Sequence, residues 1–400
     1  MTVGAEDVCV PRYFEEEDKQ PQGDNIYIKE KRIGYMDFLK TTGVGVATFL
    51  LGLCMTGCDM MTTDMDDCPT GLYVSFKYDY NIPRSDMFRD HVGSVTLYVF
   101  DADGKFVRSY TEENNAAADY FPLTDYAYRM HITDLPDGEY KFVALANQKR
   151  YADTQTGRGA KYRRTSLSVG DDMERLSVKL DRMAGTRTVS TDHIPFVDNE
   201  GMPLDTLWHG MDLSPISVMS DEPTYETISL VRDTKMLTVS LHQIDSPADI
   251  DIEDYEMYIV DNNGWLSFDN SLHTDEDILY TPYNIWNTEF TNDDGTEVLQ
   301  RTAHATLMFN RLMYYDEADK NAVLVVRNKK TDKEVAAINL SDCLAQGRNA
   351  DERWRYSRQE FLDREYNYKL DFFLKGDEWR YVDVSISVLS WSKRIQREVL

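Results

Sequence analysis

The chain lacks the motifs that covalent chemistry requires. Its 400 residues contain no H-E-x-x-H, no G-x-S-x-G, no Walker loop and no C-x-x-C. The seven histidines are scattered, without the paired spacing of a metal site. Cysteine is scarce: five residues, at 9, 54, 58, 68 and 343. That number excludes a disulfide-dense scaffold and every multi-cysteine zinc motif. Positive charge is also scarce, with 43 Lys and Arg against 70 Asp and Glu, a formal charge of −27. Such a chain repels phosphate backbones, so nucleic acid is not an expected partner. Acidic pairs are so abundant that a glycosidase-like pair of carboxylates has no diagnostic value here. The expectation is a protein that is not an enzyme, with no small-molecule substrate, metal or cofactor.

No apolar run reaches the ~20 residues of a membrane-spanning helix. The longest, Gly43 to Met55, has 13 residues and no charge. Lys31, Arg32 and Lys40 precede it, which is the layout of a secretory signal. Its exit reads Met55-Thr56-Gly57-Cys58 and resembles a bacterial lipobox. Small residues before the cut fit a narrow peptidase pocket, and only a thiol can form the lipid thioether. Met55 stands where Leu is usual. Cys54 is the poorer candidate because Leu53 precedes it. The reading is residues 36–57 as a lipoprotein signal peptide, with Met36 the true start and 1–35 an over-extended gene start. The removed part carries nine acids and six bases, leaving 343 residues and a charge of −24. Residues 58–68, acidic and without period, read as a tether. Covalent lipid on Cys58 is the only added group expected, and more than one acyl chain makes such anchoring durable.

From residue 69 on, alternation with period two dominates. Leu72, Val74, Phe76, Tyr78 and Tyr80 alternate with Tyr73, Ser75, Lys77 and Asp79. Val382, Val384, Ile386 and Val388 do the same near the end. This predicts an all-β protein of antiparallel sandwiches, with short helices near 350–365 and 309–315. A gapless repeat at an offset of 160 aligns Val95–Phe106 with Tyr255–Leu266, each read as a strand, a D-x-[DN]-G turn and a return strand. Gly104 and Gly264 are expected to supply the positive φ of a hairpin loop. Asp101 and Asp103 suggest a calcium loop, but the remaining ligands of an EF-hand are missing. Leu135–Ala146 reads as a Pro-Asp-Gly turn and a strand with Tyr140, Phe142 and Ala144 on one face. A domain boundary is placed at Asp221-Glu222-Pro223, giving one sandwich over 69–222 and a second over 223–400.

These features occur in a recognisable order. The lipobox Cys58 is followed by Asp67-Cys68-Pro69-Thr70-Gly71-Leu72-Tyr73, the Val95 hairpin, the Leu135 strand and Leu207-Trp208-His209-Gly210. Leu230-Val231-Arg232-Asp233-Thr234-Lys235, Asp261-Asn262-Asn263-Gly264, Phe361-Leu362-Asp363-Arg364-Glu365-Tyr366 and a closing strand through Trp391 come next. The set resembles the FimB-type fimbrial anchor lipoproteins, basal subunits of type V pili. The resemblance covers nearly all of residues 58–400. It implies two tandem transthyretin-like, Greek-key sandwiches on the outer-membrane surface, at the base of a fimbrium. It further implies shaft subunits as partners and a role in limiting shaft length. In such pili one subunit's C-terminal strand fills a groove in its neighbour, with main-chain bonds supplying affinity. The expectation is an uncut chain that donates its tail after Trp391, including Ile395 and Val399. The rival reading is a surface adhesin or glycan-binding tip protein of the same fold.

Other residues are weighed separately. Cys68 and Cys343 could bridge in an oxidising compartment, or stand as separate buried thiols. His209 reads as structural, since it has no partner motif. Lys149-Arg150, Arg158 and Lys161-Tyr162-Arg163-Arg164 form a basic patch in an acidic chain, read as a solvated loop. Most of the six tryptophans are expected in the core.

Overall fold

The computed structural model of the chain describes residues 70–183, 186–189, 192–197, 199–349, 355–388 and 391–398. Strands dominate it and form four sheets, as expected for an all-β protein. The signal peptide, lipobox and tether, residues 1–69, lie outside the described residues.

The first sheet has seven strands in the order β3 (Phe106–Glu113), β2 (Ser94–Asp101), β5 (Gly138–Asn147), β10 (Leu207–Val218), β11 (Pro223–Arg232), β1 (Gly71–Lys77) and β4 (Met130–Ile132). Its period-two residues do what the alternation requires. Leu72, Val74 and Phe76 of β1 face a core with Val95, Leu97 and Val99 of β2. Tyr140, Phe142 and Ala144 of β5 join them, on one face as read from sequence. Strands β2 and β5 are buried on their other face as well, through Tyr98, Phe100, Val143 and Leu145. An inner strand with two covered faces reads as a continuous apolar run, which is what Val95–Phe100 is.

The second sheet runs β16 (Asn284–Thr291), β17 (Val298–Phe309), β12 (Lys235–Gln243), β20 (Asn367–Lys375), β21 (Glu378–Val388) and β22 (Trp391–Glu398). The third runs β19 (Lys333–Asn339), β18 (Val323–Asn328), β13 (Tyr255–Asp261), β15 (Ile278–Tyr280), β9 (Asp192–Val197) and β8 (Thr186–Val189). Leu237, Val239 and Leu241 of β12, Tyr368, Leu370 and Phe372 of β20 and Met257 and Ile259 of β13 share one core. That core also holds the second face of β2 and β5. A small sheet, β14 (Trp265–Ser267), β7 (Ser177–Leu180) and β6 (Tyr162–Arg164), closes the set.

The expected boundary at 222/223 is displaced. Pro223 does not separate two domains; it opens β11, which pairs in parallel with β1 from Gly71↔Pro223 to Lys77↔Ser229. A proline is tolerated as the first residue of a strand because its missing N–H costs least there. The chain leaves the first sheet after Arg232 and enters the second at Lys235. The halves also interleave. β9 pairs with β15, and β7 with β14, so segments from before residue 200 complete sheets built with later strands.

The repeat is half realised. β2 and β3 form the expected hairpin, and Gly104 has φ 78°. Asp101 Oδ1 accepts from the amides of Asp103 and Lys105, which fixes the turn. In the second copy β14 pairs with β7 instead of returning to β13. Gly264 is not in the left-handed region; it is required by space, since a Cβ there would lie 2.8 Å from Arg182 and from Ile278.

Helix α4 (Arg358–Arg364) falls within the expected 350–365, with Ser357 capping it at the Glu360 amide. The helix expected at 309–315 is absent. Phe309 ends β17, and the next residues are spent on cross-connections: Asn310 to the Asn263 carbonyl and Arg311 to Asp363. Three helices were not anticipated: α1 (Phe88–His91), α2 (Tyr151–Thr156) and α3 (Leu340–Ala345). All are too short for a periodic signal.

Gly210 marks a close contact between β10 and β11. It pairs with Leu230, and an added Cβ would meet Leu230 at 2.7 Å and Ile228 and the Ser229 carbonyl at 2.8 Å. Gly210→Ala is expected to lower stability by about 1–3 kcal/mol, as overpacking does. Urea denaturation with an unchanged m-value checks it.

Candidate functional site: sheet edges and a buried junction

Near the N-terminus the first sheet ends in the short edge strand β4, laid against β1. On one side β1 has seven residues in register with β11; on the other, only Leu72, Tyr73 and Val74 pair with β4. Gly71 enters with φ 82°, and a Cβ there would sit 2.5 Å from the Ile132 carbonyl. The outward side chains stack across the three strands. Tyr73 lies 4.1 Å from His131 at 7° and 5.2 Å from Tyr225 at 23°. The His131 ring also meets the Thr70 carbonyl at 2.9 Å.

The C-terminal edge is β22. It pairs with β21 from Val388↔Trp391 to Tyr381↔Glu398, placing Ile395 opposite Val384. The tail after Trp391 is therefore a sheet-edge strand in this chain. Val399 lies outside the described residues, as do Met55, Thr56, Gly57, Cys58 and Cys68. Cys343 sits in α3 as a free, buried thiol, pushed up to about 12 by burial. It is enclosed by the main core.

Between the edges lies a polar junction that sequence reading marked only as a motif. Residues 232–235 cross from the first sheet to the second through the interior, and all four are buried. The Arg232 guanidinium lies 4.1 Å from the centre of the Tyr366 ring, and its Nε donates to the Thr234 carbonyl. Thr234 Oγ1 accepts from the Leu207 amide. Lys235 Nζ donates to the carbonyls of Asp363 and Glu365, both at 2.9 Å. Arg311 holds Asp363 with two bonds of 2.8 Å. Asp233 accepts from Asn270 at 2.9 Å. Burial pushes the Asp233 carboxyl up and the Lys235 ammonium down. The signal available in sequence was a charged tetrapeptide between two strand patterns, with Asp363 in a second quoted motif.

Several weighed residues take structural places. His209 is buried, and its Nε2–H donates to the Phe268 carbonyl at 2.6 Å. A carbonyl can only accept, so this bond sets the tautomer. Trp208 is core and edges onto Tyr78, but Trp265, Trp286 and Trp379 are only partly buried, so among the described residues the expectation of mostly core tryptophans fails. The basic patch is exposed at Lys149, Arg158 and Arg163, as a solvated run should be, although Tyr162–Arg164 form β6 and the arginines have partners. Arg150 pairs with Glu113, Arg158 with Glu200 and Arg163 with Asp181, while Arg164 reaches Thr96 and Asn147. Among the described residues no group of His, Cys, Asp or Glu is placed to hold a metal, and no helix is long and apolar enough to cross a membrane.

A family model describing fimbrillin-A associated anchor proteins Mfa1 and Mfa2 matches residues 65–397. The chain belongs to the Mfa2 family of fimbrial anchor proteins. The order of motifs quoted from sequence thus identified the right family. No curated protein sequence matches the chain. A Bacteroides thetaiotaomicron structure, described provisionally as a polysaccharide-binding protein, is 31% identical. It aligns over 82% of this chain and 99% of its own, with a TM-score of 0.60. A second structure from that organism, described provisionally as an adhesin, is 27% identical over 83% of this chain and 100% of its own, at 0.64. The fimbrial anchor protein Mfa2 from Porphyromonas gingivalis shares the fold at 17% identity, covering 82% and 100%, with a TM-score of 0.53. As a member of the Mfa2 family the chain is a fimbria-associated surface protein.

Two changes test the interior. Arg311→Met leaves the Asp363 carboxylate buried without its cation, and unfolding stability should fall by about 3–5 kcal/mol in chemical denaturation. His209, held down to about 4 mainly by burial, titrates near 6.5 when unfolded. The unfolded state therefore binds the proton first, and this residue's stabilising contribution is lost as pH falls from 6.5 towards 4. The stability gap between wild type and His209→Gln should narrow by about 2 kcal/mol from pH 7 to pH 5.

Proposed function

We propose that this protein is the lipid-anchored basal subunit of a fimbrium, attached through Cys58 to the outer membrane and exposed on the cell surface. The observation that carries this is the family match over residues 65–397, which begins just after the lipobox and includes both sheet edges. Residues 36–57 are its signal peptide and 58–68 its tether. The fold is two sandwiches of transthyretin type, the first closing with β11.

The shaft contact is strand-mediated. β22 is held by one neighbour only, so its outer backbone groups can pair with another chain or can themselves be exchanged. Ile395 and Val399 lie in this donor segment. Cutting the chain near β1 would release the protein from its lipid, so an anchor keeps its N-terminal strand. A subunit that offers a tail and accepts none ends growth, which limits shaft length. No catalysis, metal or small-molecule substrate belongs to this function. A second reading, a surface adhesin that binds glycans, is favoured by the 31%-identical structure described as polysaccharide-binding.

Metabolic palmitate labelling decides the lipid part. Wild type should take up label and Cys58→Ala should take up none, with surface protease accessibility scored alongside. Unlabelled wild type ends the lipoprotein reading.

A further inference from the structure

We infer that β1 has a mechanical function: it is a shear clamp that carries tension between the lipid and the body of the protein. The inference rests on the anchor reading, because it takes the pull to enter through the tether. Thr70 is twelve residues after Cys58, and β1 starts at the next residue. Any force between the membrane and a partner bound elsewhere on the chain must pass along this strand first.

The strand is built for that direction of load. Its seven residues pair in parallel with β11 without a bulge. Tension along β1 therefore acts on the whole ladder together, whereas a hairpin pulled from its open end loses one bond at a time. Slippage by one residue would turn Leu72, Val74 and Phe76 out of the core. Slippage by two would keep the faces but drag Tyr73 out of its stack. That side chain is wedged between His131 on β4 and Tyr225 on β11, one ring on each flank. The entry point is fastened too. Gly71 passes too close to the Ile132 carbonyl for any side chain, and His131 bonds Thr70, the residue the tether pulls on. β4 supplies both contacts although it is only three residues long. Its pairing covers Leu72 to Val74, the half of β1 nearest the load.

The stack has no other evident use. Both faces of Tyr73 are taken by neighbouring rings, so the ladder offers no free Tyr73 face on which a sugar could lie.

Single-molecule force spectroscopy on the full chain tests this without any need for lipidation, so it can fail while palmitate labelling succeeds, and the reverse. One handle is placed at Asp319, exposed between β17 and β18, so that β22 is not loaded. The other is placed either at residue 58 or at Ser85, which is exposed and lies past β1, so that β1 is bypassed. The expected result is a higher first rupture force from residue 58 than from Ser85. Tyr73→Ser should speed rupture from residue 58 about fivefold at a given force, near the most one aromatic cross-strand pair contributes. Tyr225→Ser removes the other half of the stack without altering β1 and should act in the same direction. It should leave rupture from Ser85 unchanged. Equal rupture forces from the two attachment points would overturn the inference. So would rupture from residue 58 that neither substitution alters.

Discussion

The passage from β11 to β12 is the constraint on which the rest of the structure depends. Four consecutive residues, Arg232 to Lys235, must cross the interior, and their backbone and side-chain polar groups must be met there. The chain meets most of them with parts drawn from distant positions: Asp205 from before β10 and Leu207 from its first residue, Asn270 from after β14, and Asp363, Glu365 and Tyr366 from the end of α4 and beyond. Because these partners sit on different elements, the junction fixes how β10, α4 and β20 approach the crossing. A buried ion pair adds little net stability against an apolar substitute. Its effect here is to tie the end of α4 to the start of β12, since Arg311 holds the Asp363 carboxylate while Lys235 bonds the Asp363 carbonyl.

What could be read from sequence follows from the range of each interaction. Strand existence is local, so Leu72–Phe76 is legible as a period-two run and Val95–Phe106 as a strand, a D-x-[DN]-G turn and a return strand. Turn chemistry is local too, and Gly104 behaves as the D-x-[DN]-G pattern implies. Partner choice is not local. Nothing around Trp265 says that β14 pairs with β7, eighty-eight residues earlier at Val178↔Leu266, and not with the strand just before it. The boundary at Pro223 went wrong for the same reason. A proline ends a ladder or begins a strand, and only the position of β1 decides which. The helix expected at 309–315 lost to two long-range demands, Asn310 on Asn263 and Arg311 on Asp363. The candidate site divides similarly. The tail and the 232–235 motif stood out, whereas the Tyr73 stack needs three strands that sequence cannot align.

The acidic balance holds once the charged groups are located. The formal −27 counts Arg232 and Lys235 as if they faced water, yet both are buried. Arg311 is nearly so, and is bound to Asp363. Arg150, Arg158 and Arg163 are each tied to a carboxylate. The same interior takes in Asp233, Asp261, Asp363 and Glu365, and each ion pair cancels one charge of either sign, so the surface field remains acidic as the sequence count suggests. Such a field keeps copies of the body apart, which matters for a protein whose sheets end in open edges.

The C-terminal edge departs from that pattern. β22 contains Lys393, Arg394 and Arg397 against Glu398 alone, a basic strand on an acidic protein. Its charge attracts it to its own body and to any acidic partner, and sets it against another basic edge. Main-chain pairing carries no sequence preference by itself, so an exchangeable edge needs some other source of selectivity. Charge of opposite sign to the body supplies one, since it is felt before the strands touch. β1 stands at the opposite extreme. It is short of charge, having only Lys77, and is held by burial, by seven register positions and by ring stacking. One end of the chain is thus made to stay, by packing that cannot slip in small steps. The other is a peripheral strand paired with β21 alone.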